Sequence, residues 1–594
     1  MTKQAFYREK IDGYIKAVQS FRNKIAFSAL LRVGAFAAFA YSGYYLVKAY
    51  SHALAVFTII LLVLFVAAVK HAIRLREQKE LMEKLLFLNQ NELLITEGGV
   101  NGMDDGKSFS TGDGYDGDLD IFGNKSLYHL LNRCTTAHGK DRLASLLSHP
   151  LLQAGDILQR QEAITVFSPQ AEKRQLITAY GLLHKEEEGN LHSIKQWLQT
   201  GEKLHEKKWL YVARWILCLY NIPCFIVYLA NGNVSWLLAG ITLSWLITLP
   251  FAKYIYQQHL LISKKQAVLY QYADILSTFA TIDTGNSILL KQLQTTAQQA
   301  HGAIGRLAKL SSMFDQRLNL LVNVFLNSLI LYDIYCILSL DKWKAQYSAA
   351  FDQWLFTVGD IECLNALATF AFNNEDFVYP VPAKDSSLQI ETKAMGHPLI
   401  SGKERVTNDF EAGKAARLLL VTGSNMSGKT TFLRTLGINL ILAQCGAPVC
   451  AGSFVFTPME ILTSIRVNDS LQEHTSYFMA ELKRLQLIIQ QLQNGIPALV
   501  LIDEILRGTN SEDKTHGSEQ FILQLIQYNC ITLFATHDLT LASLEEQYKG
   551  IISNCCFESV IQNDTLYFDY KLQPGVAKNK NASFLMKQMG IIGT

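Results

Sequence analysis

Charge is scarce in this chain. Its 594 residues hold 54 Lys and Arg against 52 Asp and Glu, so charged residues make up 18% and the formal balance is +2. Soluble domains carry about 25% charge, and the deficit points to a very large core or to contact with lipid. The near-neutral balance excludes a protein whose whole surface attracts polyanions, so any DNA contact must come from a local patch. The ten cysteines form no Cys-x-x-Cys pair and have no histidines at metal-ligand spacing, which argues against a disulfide framework or a zinc site and for a reducing compartment. The first apolar run begins only near Ile25, too late and too long for a cleaved signal peptide, so the N-terminus is expected to be mature and cytosolic. No fixed-period repeat is visible, and at roughly 150 residues per domain the length allows three to five units.

Two blocks hold the apolar excess. Residues 25–69 are interrupted only by Arg32, Lys48 and His52, and residues 209–252 only by Arg214. A bilayer core of about 30 Å needs about 20 apolar residues per helix, so each block is long enough for two spans, with turns at Lys48-Ala-Tyr-Ser-His52 and Asn231-Gly-Asn-Val-Ser235. Lys16, Arg22 and Lys24 precede the first block and Lys70, Arg74, Arg76 and Lys79 follow it; Lys203, Lys207 and Lys208 precede the second and Lys253, Lys264 and Lys265 follow it. Basic flanks around sparsely charged turns predict two hairpins that leave the cytoplasm and return. The protein is therefore expected at the inner (cytoplasmic) membrane, multi-pass, with its larger segments cytoplasmic. The alternative is a pair of apolar hairpins packed in a soluble core or an oligomer interface, since an Arg at mid-helix in a bilayer costs on the order of 2.5 to 3.5 kcal/mol.

Two further stretches have distinct patterns. Residues 318–340 carry Asn319, Asn323 and Asn327 at four-residue spacing, which predicts an amphipathic helix packed in the soluble part. Residues 98–120 hold many Gly and Asp. Asp113, Asp116, Asp118 and Asp120 loosely resemble a calcium loop, but Asn124 stands where the closing Glu belongs, and a solvated loop is expected.

From about Tyr379 the pattern alternates strands and helices, the sign of an α/β domain. The strand Arg417-Leu-Leu-Leu-Val421 runs into Gly423-Ser424-Asn425-Met426-Ser427-Gly428-Lys429-Thr430, followed by Thr431 and a helical pattern. This is the phosphate-loop spacing G-x-x-x-x-G-K-[ST] in its strand-to-helix context. Backbone N–H groups and the helix N-terminus would cradle phosphates, Lys429 would reach the β and γ phosphates of ATP, and Thr430 would ligate Mg²⁺. A second apolar strand, Ala498-Leu-Val-Leu-Ile502, ends in Asp503 and Glu504. Asp503 suits the metal, and Glu504 suits polarising a water for in-line attack. A third strand ends in Thr536-His537, which aims His537 at the crevice where ligands of such sheets bind.

These motifs resemble the MutS mismatch-repair ATPases, whose ATPase domain is of the ABC type. Thr422-Gly-Ser-Asn-Met-Ser-Gly-Lys-Thr-Thr431 is similar to that family's T-G-P-N-M-x-G-K-S-T, residues 499–510 to its L-V-L-L-D-E-I-G-R-G-T-S, and Leu533-Phe-Ala-Thr-His537 matches outright. Thr475-Ser-Tyr-Phe-Met-Ala-Glu481 resembles R-S-T-F-M-x-E. The resemblance implies that Ser476 is the signature serine that reaches a partner's γ phosphate in a head-to-tail pair, with Thr509 and Asn510 near that face. Upstream, Ser126 to Asn132, Thr136-Ala-His-Gly-Lys-Asp-Arg-Leu143 and residues 360–368 resemble the ends of the family's helical core or lever domain, and His397-Pro398-Leu399 its entry to the ATPase domain. No mismatch-reading or connector domain is expected before Asp118. His474, Leu506 and Ser424 replace two glycines and a proline of the family pattern.

The expected architecture is a cytosolic segment (1–24), a transmembrane hairpin (25–70), an α-helical core or lever (71–205), a second transmembrane hairpin (206–252), the rest of the helical core (253–378) and an α/β P-loop ABC-type ATPase domain (379–594). The expected function is a membrane-anchored, Mg²⁺-dependent ATPase, catalysed through Lys429, Glu504 and His537. Its homodimerisation on ATP would gate the helical arms, with DNA as an open question because Arg306, Lys309 and Arg317 are scattered. The alternatives are the ATPase of an ABC-type transporter and a nucleotide-gated scaffold without DNA. The adenine pocket is expected around residues 405–410, where no aromatic stands plainly at a stacking position.

Overall fold

The computed structural model describes residues 2–49, 51–112, 114–184, 189–199, 204–384, 387–414, 416–424, 426–466, 477–506, 510–562, 565–578 and 591. Asp113, Asn425, His474, Ser476 and Thr509, all singled out above, lie outside the described residues.

Two long helices open the chain, α1 (Lys3–Lys48) and α2 (His52–Thr96), antiparallel across the turn at Ser51. Both overrun the apolar block, so the expected segment 1–24 and the start of 71–205 are the polar continuations of these same helices. Those polar ends dock on the helical domain, where Tyr7 Oη donates to Asn373 Oδ1 at 2.6 Å and Lys10 pairs with Glu172 at 2.6 Å, and Arg8 ties α1 to the end of α2 through Glu97 at 2.8 Å. The apolar ends touch little. Only 11% of the most apolar stretch of α1 and 6% of that of α2 is buried, against 22% for Lys208–Leu229 and for Ser235–Ile262. Among the described residues five helices are long and apolar enough to cross a membrane; the fifth, Tyr332–Asn373, is 78% buried in that stretch and is a core helix. Its buried Glu362 accepts the backbone N–H groups of Thr135 and Thr136 at 3.0 and 3.1 Å and both threonine hydroxyls, and burial raises the pKa of its carboxyl in spite of those bonds.

Residues 318–340 are not one packed soluble helix. The chain breaks at Leu331, whose φ is 49°, so that Leu320–Ile330 is a separate helix lying against Lys208–Asn231 and Ser235–Thr248. The asparagine spacing is used for docking and capping. Asn319 caps the helix, and Asn327 accepts the N–H of Asp333 at 2.8 Å. The far face remains apolar and open, with Leu320 73% and Leu321 82% exposed. Inside this three-helix group Asn221 donates to Ser244 Oγ and to Ser328 O, both at 3.0 Å. Arg214 stacks on Tyr335 at 4.2 Å.

Among the described residues, ten strands build the C-terminal domain. β1 (Val381–Pro382), β5 (Ser453–Phe456), β2 (Ile390–Met395) and β3 (Asn408–Ala412) lie side by side in that order. The larger sheet runs β10 (Thr565–Pro574), β9 (Ile552–Gln562), β4 (Leu418–Gly423), β8 (Cys530–Thr536), β7 (Ala498–Asp503), β6 (Glu460–Ser464), all parallel except β10. Every residue of β4, β7 and β8 is buried, as continuous Leu/Val/Ile runs require in a sheet covered on both faces.

The Gly/Asp-rich segment is not a solvated loop. Asn101, Asp116 and Asp118 are buried, and their side chains take over backbone partners. Asn101 donates to His129 O at 2.6 Å, and Asp116 accepts Thr111 N–H at 2.9 Å. Asp118 reaches the sheet, accepting from Thr463 Oγ1 at 2.6 Å, Ile465 N at 3.1 Å and Arg466 N at 2.6 Å. Leu119 packs so closely on the helix Lys429–Gln444 that a Cβ at Gly437 would come within 2.7 Å of it. Asp118→Ala leaves two buried donors and one part-buried donor unpaired, at a cost of about 2–3 kcal/mol. It is expected to lower the thermal unfolding midpoint of the detergent-solubilised chain; an unchanged midpoint would show that this seam does not hold the helical and α/β parts together.

Candidate functional site

Three neighbouring strands of the large sheet end at one edge. β8 lies between β4 and β7, with Thr422 opposite Thr536 and Asp503 opposite Ala535, so the phosphate-loop motif, His537 and the Asp503-Glu504 pair converge although they are far apart in the chain. Gly428 makes the turn into the helix at φ 105°, and a Cβ there would stand 3.1 Å from the Tyr570 ring. Met426 also has φ above zero and is 80% exposed, while the Ser427 hydroxyl is buried without a hydrogen-bond partner among the described residues.

Lys429 Nζ donates to Gly423 O at 2.7 Å and Ser424 O at 2.9 Å, which folds the ammonium over the loop. Thr430 Oγ1 donates to Asp503 Oδ2, and Thr431 and Ser424 line the same cavity. Glu504 takes a left-handed backbone, φ 57°, after β7. Its carboxylate Oε1 meets His537 Nδ1 at 2.9 Å and the Lys514 ammonium. Lys514 was invisible in the sequence pattern because it is brought in by the helix Ser511–Leu525, whose N-cap is Asn510. Asn510, expected at a dimer face, spends its side-chain oxygen on Asp513 N–H at 2.9 Å.

Lys429, Thr430, Asp503, Glu504 and His537 line a cavity of about 810 Å³, within the range of small-molecule sites. Met395, Val406, Asn408 and Tyr570 also line it. Tyr570 is the aromatic that sequence reasoning missed. The β9–β10 pairing slips between Phe568 and Leu572, which pushes Tyr570 out at φ 55°. Asn408 fixes the bulge, donating to Tyr570 O at 3.0 Å and accepting Leu572 N–H at 2.8 Å. The only sequence signal was aromatic alternation in Tyr567-Phe-Asp-Tyr570. His397 also lines the cavity; burial, reinforced by the Arg434 guanidinium, pushes its pKa down to about 4, so at neutral pH it is uncharged and adds nothing to anion binding.

The donor set suits a hard cation presented with phosphates. Among the described residues no three His, Cys, Asp or Glu side chains converge on a metal site. Thr430 and Asp503 offer two side-chain ligands, a hydroxyl and a carboxylate, and phosphate and water oxygens would complete a shell around Mg²⁺.

Residues 419–590 match the family description MutS domain V, and residues 110–199 match MutS domain III. These two regions belong to MutS-family domains. Over 238 residues it is 32% identical to the MutS protein homolog 4 of Mus musculus, a match covering 38% of this chain and 24% of the relative. Over 235 residues it is 29% identical to the DNA mismatch repair protein MutS of Thermotoga maritima, covering 39% of this chain and 29% of that protein. The chain thus spans about a quarter of the length of the curated relatives it matches. The helices α1 and α2 and those at Lys208–Asn231 and Ser235–Thr248 lie outside both matched regions.

If Tyr570 supplies the face on which a base stacks, its loss costs about 1–3 kcal/mol. Tyr570→Ala is expected to weaken ATP binding roughly 5- to 100-fold, with Tyr570→Phe close to wild type, in a fluorescent-nucleotide titration. Equal affinities for Ala and Phe would remove Tyr570 from the site.

Proposed function

We propose that this MutS-family chain is a membrane-anchored, Mg²⁺-dependent ATPase whose nucleotide state gates its helical arms. The observation that carries the reading is the convergence of Lys429, Thr430, Asp503, Glu504 and His537 at one sheet edge, in one cavity. Lys429 would leave its two loop carbonyls to neutralise the β and γ phosphates. Thr430 and Asp503 would hold Mg²⁺, which supplies charge neutralisation at the transferring phosphoryl group. Glu504, oriented by His537 and Lys514, would accept the proton of the attacking water as the γ phosphorus–oxygen bond to ADP breaks. Ser476 and Thr509 are proposed to complete a partner's site in a head-to-tail homodimer.

Membrane anchoring is supported by the wide exposure of apolar residues on both hairpins and on Leu320–Ile330. A groove of about 970 Å³ at the base of the first hairpin, lined by Arg22, Arg32, Arg76, Lys79 and Lys84 beside Glu80 and Glu83, sets a mostly cationic rim where the apolar stretch begins, as at a cytoplasmic leaflet. Arg32 Nε leans back toward that rim, bonding Ser28 O at 3.3 Å. Tyr41, Tyr44 and Tyr45 stand exposed near the far turn, where an outer aromatic belt belongs.

The family relation supports DNA as what the arms engage. Arg306 and Lys309 are exposed on the helix Ile288–Asp315, whereas Arg317 turns inward to Asp333 at 3.5 Å and is unavailable to phosphates. The matches to MutS domains give the transporter alternative no support.

Glu504→Gln is expected to keep ATP affinity while lowering turnover about 10²- to 10⁴-fold; turnover at the wild-type rate would remove Glu504 as the base. A wild-type chain that binds ATP without any turnover would favour the scaffold alternative. In native membranes the chain is expected to resist alkaline carbonate extraction, and release into the wash would sink the anchoring half of the proposal. A DNA gel shift that follows the nucleotide would support gated arms, while one that follows salt alone would mean passive charge attraction.

A further inference from the structure

The segment that opens the helical domain sends two aspartates to the nucleotide site, and they are held differently. Asp118 is 3% exposed and fastens the backbone at Ile465 and Arg466. Asp120, two residues on, lies between two guanidinium groups, 2.9 Å from Arg434 Nη1 and 2.8 Å from Arg466 Nη1. Arg434 sits one turn into the helix that begins at Lys429, and its Nε and Nη2 are buried without partners among the described residues. Arg466 lines the nucleotide cavity with Thr430, Asp503 and Glu504, and its side chain is 53% exposed.

The Asp120–Arg466 pair is an exchangeable contact. With both side chains about half exposed, the ion pair contributes little, whereas a polyphosphate offers the same guanidinium several charge-assisted acceptors in a geometry that suits its fork. Arg466 needs no large movement to change partner, because its backbone is already fixed at the cavity rim by Asp118.

We propose that Arg466 is a phosphate-contacting residue of the nucleotide site, and that Asp120 is the competing anion that holds it back until a polyphosphate binds. The inference rests on the ATP reading given above. A residue of the helical domain thereby sets nucleotide affinity, and by thermodynamic reciprocity the bound nucleotide loosens one tie between that domain and the α/β domain. The backbone tie through Asp118 stays in place, so the exchange alters the coupling without undocking the domains.

Titration of the full-length detergent-solubilised chain with a fluorescent ATP analogue and Mg²⁺, with ATP and AMP as competitors, tests this. Arg466→Gln is expected to weaken ATP about 10-fold while leaving AMP nearly unchanged, and Arg466→Lys to recover part of the loss. Asp120→Asn is expected to tighten ATP about 3- to 10-fold, and to do nothing when Arg466→Gln is already present. The inference is overturned if Asp120→Asn weakens or does not change ATP binding in the wild-type background, or if Arg466→Gln penalises ATP and AMP equally, while Lys429→Ala abolishes ATP binding. If Lys429→Ala changes nothing, or the wild type binds no ATP, the nucleotide reading itself has failed and the inference goes with it.

Discussion

The hydrogen bond from Thr430 to Asp503 spans the width of an intervening strand, and the rest of the site is arranged around it. β4 and β7 are not neighbours; β8 separates them. The contact forms because the helix after Gly428 starts at the sheet edge and β7 ends in Asp503 at the level of Ala535, one residue before the end of β8. That geometry leaves the end of β8 for His537, which reaches Glu504 from the middle strand. The parallel order, forced by buried Leu/Val/Ile runs, is what turns three separate motifs into one cavity.

The phosphate-loop strand, the Asp-Glu strand and the His strand were legible because each combines a short apolar run with polar residues at its end, a local signal. Tyr570, Lys514 and Arg466 were not, because each reaches the cavity or its Glu504 through space: by a register slip between two strands, by the first turn of a capped helix, and by the chain after β6. The segment at 98–120 was misread for a related reason. Gly and Asp are the composition of a solvated loop, and composition does not reveal that a carboxylate will find backbone N–H groups on another domain. The apolar stretch at 318–340 was misread because four-residue asparagine spacing suits one amphipathic helix equally well as a cap, a docking contact and a break at Leu331.

The molecule has two kinds of apolar surface with different fates. The helix Tyr332–Asn373 is as apolar over one stretch as a membrane span, yet it is buried by the protein itself. The hairpins of α1 with α2 and of Lys208–Asn231 with Ser235–Thr248 have no such cover. Both depart from the matched MutS domains, so the family relation explains the α/β domain and part of the helical domain but supplies no precedent for the hairpins. The charge shortage of the chain is concentrated there, while the helical and α/β parts carry ordinary polar surfaces joined by a buried aspartate seam.

Phosphate release from ATP by the full-length chain reconstituted in lipid nanodiscs tests the account most directly, compared with and without Mg²⁺ and in Asp503→Asn. The account predicts release that saturates with ATP, requires Mg²⁺ and is lost in Asp503→Asn. Release that proceeds without Mg²⁺, or that survives Asp503→Asn undiminished, would contradict it.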